Sequence, residues 1–497
     1  MTRVDCVGTL TCSRPSLLRR SLEAHVSARR AANRAHEIVV VDDARDPADA
    51  SAAEAVVNDV GSSDELGVRY IDRRARVRFA EGLTSELRGE RIPHEIVAFA
   101  LLGRDGCGPT PGSSRNMLAL HAAGDVVFAS DDDVVTDLWL PRGARIERAP
   151  RLVTSSDPRD LWSFADRAAA ICHVASSPKN AVLAIEELLG AAVDYGSAMG
   201  RVAVASFGRV GDGGVDSPAQ ALSQHGASRT RLMASTASYR AACASREVFR
   251  AAPAPSITDA PIFDGIAAGY DLRGLLPPSV PCGRGIDEPF GVMLRRIDRS
   301  ALFGHLPWAV LHDPPSRRQP VRADVRRART TVGAVIAALV TQSPSPAGAM
   351  PAARLASIGA ALVDASGSTP GAFRERLIAA QRGAAATSVG RLERLLSIHR
   401  GEPAEWSADV RGHIEAVRSS IATGACAVPA ELAHLGDIEA VARLRRLVRD
   451  YGELVTAWPA IVDAARRVRG AKHVYESGTH LRAAPPAADT HLGARRG

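Results

Sequence analysis

Three consecutive aspartates, Asp131, Asp132 and Asp133, directly follow an apolar run at 126–130 that is typical of a buried strand. Residues two apart on a strand share a face, so we expect Asp131 and Asp133 to point together and Asp132 to point away. Two adjacent carboxylates repel each other unless a hard divalent cation lies between them and a phosphate ligand. The pattern predicts a metal–diphosphate site, with a solvated acidic turn as the alternative.

Other residues with side chains suited to catalysis or ligand binding lie at the ends of apolar segments or at the expected start of a helix. Asp42 and Asp43 close the apolar segment EIVVVDD, and Asp287 and Glu288 stand in GRGIDEPFGVML, where a helix is expected to begin. His312 follows a further apolar run and precedes two prolines, in AVLHDPP. Open α/β sheets bind ligands at the carboxyl ends of their strands, and this is where such side chains would meet.

The elements that would position these residues begin at the N-terminus. Residues 4–11 and 37–43 have strand character, and residues 15–34 carry apolar side chains at helical spacing. Pro15 suits a first helical turn, and Ser13 is available as its cap. The order predicts a βαβ unit and a parallel sheet.

Two other folds place acids or nucleotides at such an edge. A receiver domain would add a lysine on a later strand, but no lysine precedes Lys179. A dinucleotide-binding fold would show G-x-G-x-x-G after the first strand, whereas residues 9–15 read TLTCSRP. Neither pattern is present.

Taken together, these segments resemble the inverting GT-A glycosyltransferases of the family-2 kind. Residues 9–15 are similar to that family's nucleotide-facing turn, and EIVVVDDARD to its second strand. Residues 112–133 are similar to its helix, strand and DxD element. Residues 229–250 look like the strand and turn before its acceptor helix, and 283–294 like the helix that presents its catalytic acid.

The resemblance implies a fold, a reaction and a set of site residues. It implies a GT-A, Rossmann-like α/β domain with a mostly parallel sheet, using Mn²⁺ or Mg²⁺ and a nucleotide-sugar donor, most simply a UDP- or GDP-sugar. Metal ligands would be Asp131, Asp133 and His312, and the base that deprotonates the acceptor would be Asp287 or Glu288. The implied nucleotide-binding residues are Thr9, Thr11, Arg14, Pro15, Asp42, Asp43, Arg115, Asn116, Asp131 and Asp132.

The sequence departs from the family at the catalytic acids. The family's pair has glutamate before aspartate, but here Ile286 precedes Asp287 and Glu288 follows it, so either acid could be the base, with Asp287 favoured. The alternative is an ordinary acidic helix N-terminus favoured by the helix dipole. His312 could likewise be structural or a neighbour of Asp313.

Composition narrows the class of protein. The 497 residues carry a formal net charge of +7, but the cations are almost all arginine, and only 4% of residues are aromatic. With no basic stripe interleaved with aromatic residues, nucleic-acid binding is not expected. Seven scattered cysteines without a C-x-x-C pair predict reduced thiols. With no signal peptide and no apolar run long enough to span a membrane, we expect a cytoplasmic bacterial enzyme.

The expected organisation has three parts. A GT-A-like domain covers 1–318, with a nucleotide-binding half at 1–145, an insertion at 146–228 and an acceptor half at 229–318. Within the insertion, the Gly-, Ser- and Asp-rich stretch 206–229 predicts a loop that could act as a lid. A separate α-helical domain at 319–476 and a disordered tail at 477–497 follow.

The predicted function is metal-dependent transfer of a sugar from a nucleotide-sugar to an acceptor hydroxyl or other nucleophile. The acceptor is left open among glycan, peptide, lipid carrier and natural product, and the helical domain could support a homodimer or bind a partner protein. Two alternatives stay open: a nucleotidyltransferase on the same fold, and a non-catalytic nucleotide- or sugar-binding module with a helical interaction domain.

Overall fold

The computed structural model of the chain describes residues 2–470 apart from 63, 65, 107, 148, 196–197, 215–216, 316–319, 321, 345–347 and 401. The predicted disordered tail at 477–497 lies outside the described residues.

All strands of the described chain belong to one 14-stranded sheet. They are β1 (Cys6–Thr11), β2 (Glu37–Asp42), β3 (Arg69–Ile71), β4 (Val126–Asp131), β5 (Val134–Pro141), β6 (Arg151–Val153), β7 (Asp160–Ser163), β8 (Val174–Ser177), β9 (Ala192–Tyr195), β10 (Ala198–Asp212), β11 (Glu247–Ala251), β12 (Ser256–Thr258), β13 (Ala267–Asp271) and β14 (Ala301–His312).

Helices alternate with the first strands and dominate after β14. They are α1 (Pro15–Ala31), α2 (Pro47–Ser62), α3 (Arg73–Glu86), α4 (His94–Leu102), α5 (Pro111–His121), α6 (Arg167–His173), α7 (Ala181–Glu186), α8 (Ser217–Gln220), α9 (Gly226–Leu232), α10 (Thr236–Ala244), α11 (Asp287–Ile297), α12 (Arg322–Val325), α13 (Val332–Gln342), α14 (Pro351–Gly367), α15 (Pro370–Ile398), α16 (Ala404–Thr423) and α17 (Asp437–Gly470).

The sheet is mixed, and the α/β class predicted from the sequence is confirmed. Its main path runs β3-β2-β1-β4-β13-β10-β14-β12-β6. The first four of these strands are parallel, whereas β13 is antiparallel to both β4 and β10. The chain progresses from β1 outward to β2 and β3 and then returns to place β4 on the other side of β1. The carboxyl ends of β1 and β4 therefore flank a topological switch point, where α/β sheets bind ligands.

The turn after β1 differs from the prediction at its cap. Helix α1 begins at Pro15 as expected, but Arg14 occupies the N-cap position and its side chain makes no capping bond. Ser13 does not cap the helix. Its φ of 55° lies in the left-handed region, so the turn stores local strain beside the switch point.

The segment predicted as an insertion with a lid, 146–228, contains a central strand instead. β10 occupies residues 198–212 and pairs with β13 and β14, so the stretch that begins at Ser206 starts as sheet and continues into the short helices α8 and α9. Its glycines serve close packing: a Cβ at Gly208 would lie 2.3 Å from the Arg250 carbonyl oxygen, and one at Gly211 would lie 2.5 Å from that of His312. Glycine content alone therefore misled the loop prediction.

Residues 229–250, compared with a strand and turn, differ from that prediction and form helices α9 and α10 before β11. Helix α7 ends at Glu186, with Asn180 as its cap, and β9 follows. Residues 44–108 contain α2, β3, α3 and α4.

The helices after β14 and the sheet contribute side chains to the same hydrophobic core. One cluster of buried residues joins Val39 of β2 and Phe303 of β14 to Leu355 of α14 and Leu444 of α17. A buried apolar face of α17 is formed by Val441, Leu444, Leu447, Val448, Tyr451, Leu454 and Val455, whereas Ile438 in the first turn is 91% exposed. The predicted separate domain is thus packed continuously onto the α/β part.

Helix α17 is also hydrogen-bonded to the chain that leads into α11. The Tyr451 hydroxyl donates to the Pro278 carbonyl at 2.8 Å, and the Trp458 indole donates to the Leu276 carbonyl at 2.8 Å. Both aromatic side chains are buried. The helical segment therefore fixes the approach to the helix that carries Asp287.

Two general predictions can be compared with the described residues. No helix in the described part of the chain is long and apolar enough to cross a membrane. Within that part of the chain, no disulfide joins any of the six cysteines, which are Cys6, Cys12, Cys172, Cys243, Cys282 and Cys426.

Candidate active site

The aspartate triplet lies at the switch point, but its geometry differs from simple alternation. β4 ends at Asp131, which pairs with Leu10 of β1, and Asp132 and Asp133 form the turn into β5. The Thr11 hydroxyl donates to Asp132 Oδ2 at 2.7 Å. Asp132 was predicted to point away from Asp131 and Asp133, and this is wrong. Side chains alternate between faces only within a strand, and β4 ends at Asp131.

Arg14 bridges two acids of the triplet. Its Nη1 lies 2.8 Å from Asp133 Oδ2 and its Nη2 lies 2.5 Å from Asp132 Oδ1. Burial alone would lower the pKa of Arg14, but the carboxylates of Asp132 and Asp133 raise it above its ordinary value. The turn after β1 thus contributes a fixed cation that neutralises part of the triplet.

His312, at the end of β14, faces the remaining oxygen of Asp133. Its Nδ1 donates to the Asp212 carbonyl at 2.5 Å, so the lone pair is on Nε2, which lies 3.6 Å from Asp133 Oδ1. That carboxylate oxygen is buried and accepts no hydrogen bond. Burial, reinforced by Arg209, lowers the pKa of His312, so the imidazole is neutral.

This pair fits a hard divalent cation that shares its coordination with a substrate. Among residues 2–470, apart from the gaps named above, no group of three or more His, Cys, Asp or Glu side chains is arranged to hold a metal. Sites for Mg²⁺ and Mn²⁺ in phosphate-transfer enzymes use one or two protein ligands and complete the shell with phosphate oxygens and water. A histidine whose second nitrogen donates to a backbone carbonyl is the usual metal-ligating form.

Two acids of the triplet, Asp131 and Asp132, have pKa values suited to cation-dependent ionisation. Burial, with the charges of Asp133, Asp132 and Asp287 added, raises the pKa of Asp131 to about 8, against the lowering effect of Arg115. Burial raises the pKa of Asp132 to about 7, against Arg14. A bound cation would favour the ionised form of both carboxylates.

Asp287 lies at the N-terminus of α11 and is held from two sides. Arg115 of α5 forms an ion pair with its Oδ1, and the Gly265 amide donates to its Oδ2 at 3.1 Å. Arg115 also donates to the Gly265 carbonyl at 3.0 Å. Arg115 was predicted to contact nucleotide, and the structure instead brings it to the predicted base, with Asp131 among the charges that affect it.

Glu288, the second candidate base, is the next residue of α11. The residue is exposed at the surface, yet partial desolvation of its carboxyl raises its pKa above the ordinary value. Asp287 is thus oriented by fixed partners, whereas Glu288 binds a proton more tightly than a free glutamate does.

Asn116 is not part of this site. Its amide donates to the carbonyls of Ala100 and Ser279 and accepts from the Ser279 amide, and the residue is 1% exposed. The predicted contact with nucleotide is wrong because every polar atom of the side chain is used to join α5 to neighbouring backbone.

Asp42 and Asp43 are at the end of β2, as predicted, but protein groups occupy their carboxylates. Asp42 accepts from the Tyr70 hydroxyl at 2.7 Å, and burial raises its pKa. Asp43 accepts from Arg73 and Arg76 at 2.5 Å each and from the Thr110 hydroxyl. Any nucleotide contact by Asp43 would have to share these arginines.

The remaining predicted residues lie along β1 and its turn. Thr9 is fully buried and its hydroxyl has no hydrogen-bond partner, while Pro15 opens α1. Of the turn, Thr11 and Arg14 are the residues that reach the acidic triplet.

Sequence reasoning missed a group of buried charges on and beside strands β10 and β11. It is called the arginine cluster here and consists of Asp157, Arg159, Arg209, Arg250 and Asp264. A signal was present: Arg209 and Arg250 interrupt apolar runs that the structure shows to be strands. A charge inside a buried strand needs a partner, and the partners are distant in sequence.

Comparisons with models of known protein families, with curated proteins and with solved structures found no match.

Proposed function

We propose that the protein is a metal-dependent inverting glycosyltransferase of the GT-A type that uses a nucleotide-sugar donor. The observation that carries the proposal is the pair formed by His312 Nε2 and Asp133 Oδ1, 3.6 Å apart at the sheet's switch point. Within the described part of the chain, His312 is anchored through Nδ1, and the buried Asp133 Oδ1 accepts no hydrogen bond.

Each residue of the site has a role in this proposal. Asp133 and His312 would hold Mn²⁺ or Mg²⁺, which when bound supplies positive charge for the departing diphosphate. Arg14 keeps the two carboxylates of the turn in place, and Thr11 orients Asp132 through a 2.7 Å hydrogen bond. The left-handed Ser13 turn brings Arg14 to that position.

Asp287 is the proposed base. Its carboxylate takes the proton of the acceptor hydroxyl as the acceptor oxygen bonds to the anomeric carbon, and the bond from that carbon to the diphosphate oxygen breaks in the same step. Arg115 and the Gly265 amide hold the carboxylate in one orientation, which reduces the reorganisation needed for attack. Attack opposite the leaving group inverts the anomeric configuration.

A thermal-shift panel tests the proposal. The purified protein would be heated with UDP, GDP, CDP, dTDP or ADP, each with and without Mn²⁺, alongside Asp133→Ala and His312→Ala. A ligand at a hundred times its dissociation constant adds about 2.7 kcal/mol of stability. We expect one nucleotide to give a shift that requires Mn²⁺ and disappears in both variants.

The matched control is Asp137→Ala. Asp137 lies on β5, the strand that leads away from the same turn, but its side chain is exposed. This variant should retain the full shift. Absence of a metal-dependent shift with every nucleotide, or an equal shift in Asp133→Ala, would reject the metal–diphosphate site.

A second candidate function, a non-catalytic nucleotide- or sugar-binding module, is favoured by one observation. Asp287 is ion-paired with Arg115, so a protein cation already occupies the carboxylate that would have to take the acceptor's proton. The two functions differ in product formation: the module would give the nucleotide shift without releasing nucleoside diphosphate from any donor, whereas the transferase would release it.

A further inference from the structure

Two arginines face each other across adjacent strands in the arginine cluster. Arg209 of β10 is directly opposite Arg250 of β11 in the antiparallel register, so their side chains emerge on the same face. Like charges directly opposite each other on a sheet are destabilising. Both side chains are largely buried, so solvent does not relieve the repulsion.

Two carboxylates pair with three guanidinium groups in this cluster. Asp157 contacts Arg159 at 2.8 Å and Arg250 at 2.5 Å. Asp264 accepts from Arg209 Nε at 2.6 Å and lies 3.9 Å from Arg159. Three positive and two negative charges leave the cluster with one positive charge in excess.

His305 does not remove that excess. It is 1% exposed, and neither of its ring nitrogens has a hydrogen-bond partner. Burial, reinforced by Arg159, lowers its pKa to about 3, so the ring is neutral. The cluster therefore combines surplus positive charge with two unused, buried hydrogen-bonding atoms, and both features favour an anion.

The cluster lies between the two halves of the candidate active site. Arg209 is two residues before Gly211, whose register partner on β14 is His312, so Arg209 and His312 share a face of the sheet. At the other end, Asp264 immediately precedes Gly265, whose amide holds Asp287. An anionic group bound by the cluster would lie beside both the cation ligands and the base.

We propose that Arg209 and Arg250 bind a carboxylate or phosphate group of the acceptor, so that the acceptor is an anionic molecule. The word acceptor rests on the proposed function, whereas the anion site rests on the cluster alone. The surplus guanidinium charge selects the anion, and its position beside Asp287 brings the acceptor's nucleophile toward the base.

Anion binding to the full chain tests this without a donor. Binding of inorganic phosphate and of acetate would be measured by calorimetry in EDTA, with sodium chloride keeping ionic strength constant. We expect Arg209→Gln to weaken binding at least tenfold, because it removes the excess charge. Arg201→Gln is the matched control: Arg201 is on the same strand but pairs with Asp271 at 2.6 Å, and it should bind as the unchanged protein does.

Two more variants keep the test decisive. Asp157→Asn raises the excess to two positive charges, so anion binding should tighten. This variant tests the proposal even if Arg209→Gln does not fold. Arg14→Gln removes the guanidinium that pairs with Asp132 and Asp133, outside the arginine cluster, so phosphate held by the cluster should stay bound. Binding lost in Arg14→Gln but kept in Arg209→Gln would overturn the proposal, as would no binding of either anion by the unchanged protein.

Comparing the binding of phosphate with that of acetate distinguishes the two kinds of anionic acceptor. Preference for phosphate indicates a phosphorylated acceptor, and preference for acetate a carboxylate-bearing one. Anion binding that depends on Arg209, in a protein that shows no nucleotide shift, would reject the proposed function while leaving the anion site in place.

Discussion

The guanidinium of Arg115 and the carboxylate of Asp287, 172 positions apart in the chain, form an ion pair at the N-terminus of α11. Asp131, whose pKa is raised to about 8, is close enough to influence both partners. The pair thus joins the acidic turn after β4 to the proposed base. Arg115 therefore orients Asp287 and makes no ion pair with the neighbouring Glu288 among the described contacts.

Asp287→Asn should reduce turnover by about 10²–10⁴-fold, the range that a positioned base contributes, while nucleotide binding is unchanged. Glu288→Gln is the matched comparison on the same helix turn and should retain most activity. Release of nucleoside diphosphate measures turnover, and the thermal shift measures binding. A larger loss in Glu288→Gln than in Asp287→Asn would assign the base to Glu288.

Gly265→Ala should separate activity from stability. A Cβ at this position would lie 2.4 Å from Asp287 Oδ1 and 2.6 Å from Arg115 Nη2, so the two side-chain ends must move apart. Because only flexible ends are displaced, we expect a stability change within about 1 kcal/mol but a turnover loss of at least tenfold.

The control for that variant is Gly390→Ala, in the exposed interior of α15, where a Cβ meets no atom within 4 Å. It should raise the free energy of unfolding by about 0.5–1 kcal/mol and leave turnover unchanged. Chemical denaturation measures the free energy of unfolding of both variants, and release of nucleoside diphosphate measures their turnover. Normal turnover in Gly265→Ala would show that the ion pair does not position the base.

The pH dependence of cation binding follows from Asp131 and Asp132. Their pKa values, raised to about 8 and about 7, mean that both carboxylates lose protons as pH rises from 6.5 to 8.5. The thermal shift produced by Mg²⁺ and nucleotide should therefore grow across this range. A raised pKa also means that the ligand-free protein loses stability as pH rises through the same window.

Asp131→Asn cannot ionise, so the ligand-free variant should lose less stability between pH 7 and 8.5 than the unchanged protein. Asp137→Asn, on the exposed part of β5, should follow the unchanged protein. Identical pH profiles for all three proteins would show that Asp131 does not carry the pH dependence.

Trp458→Ala should destabilise the whole protein, not only its helical segment. The indole is buried and hydrogen-bonded to the Leu276 carbonyl, so its loss leaves a cavity and an unpaired carbonyl, at a cost of about 3–5 kcal/mol. Tyr451→Phe, which removes only the hydrogen bond to Pro278, should cost about 1–2 kcal/mol.

Ile438→Ala is the control on the same helix, because Ile438 is 91% exposed and should change stability by less than about 0.5 kcal/mol. Unfolding followed by circular dichroism and by tryptophan fluorescence should show one transition for every variant. Two separate transitions would indicate that the helical segment unfolds independently of the sheet.

The sequence predicted the elements with strong local patterns. The βαβ unit, β4 and the helix at Asp287 were accessible because apolar periodicity marks them. The orientation of Asp132 could not be predicted, because the alternation of side chains along a strand does not apply to a residue beyond the end of the strand. Strand β10 was missed because Gly208 and Gly211, needed for close packing against neighbouring strands, imitate loop composition.

The charges of the site illustrate a second limit. Asp43 was correctly placed at the end of β2, but its partners Arg73 and Arg76 lie in a segment without pattern. Likewise, the pairing of Arg209 with Arg250 depends on the register of two strands that are distant in sequence. Local composition carries no information about which distant partner a charge will meet.

The shared core of the sheet and α17 has a consequence for how the chain folds. Val39 of β2 is among the first core residues to be synthesised, and Val455 of α17, which belongs to the same cluster, is among the last. The apolar surface formed by the early strands and by α4 and α5 therefore stays uncovered until α17 has left the ribosome. Such long-range closure slows folding and leaves partly made chains prone to aggregation.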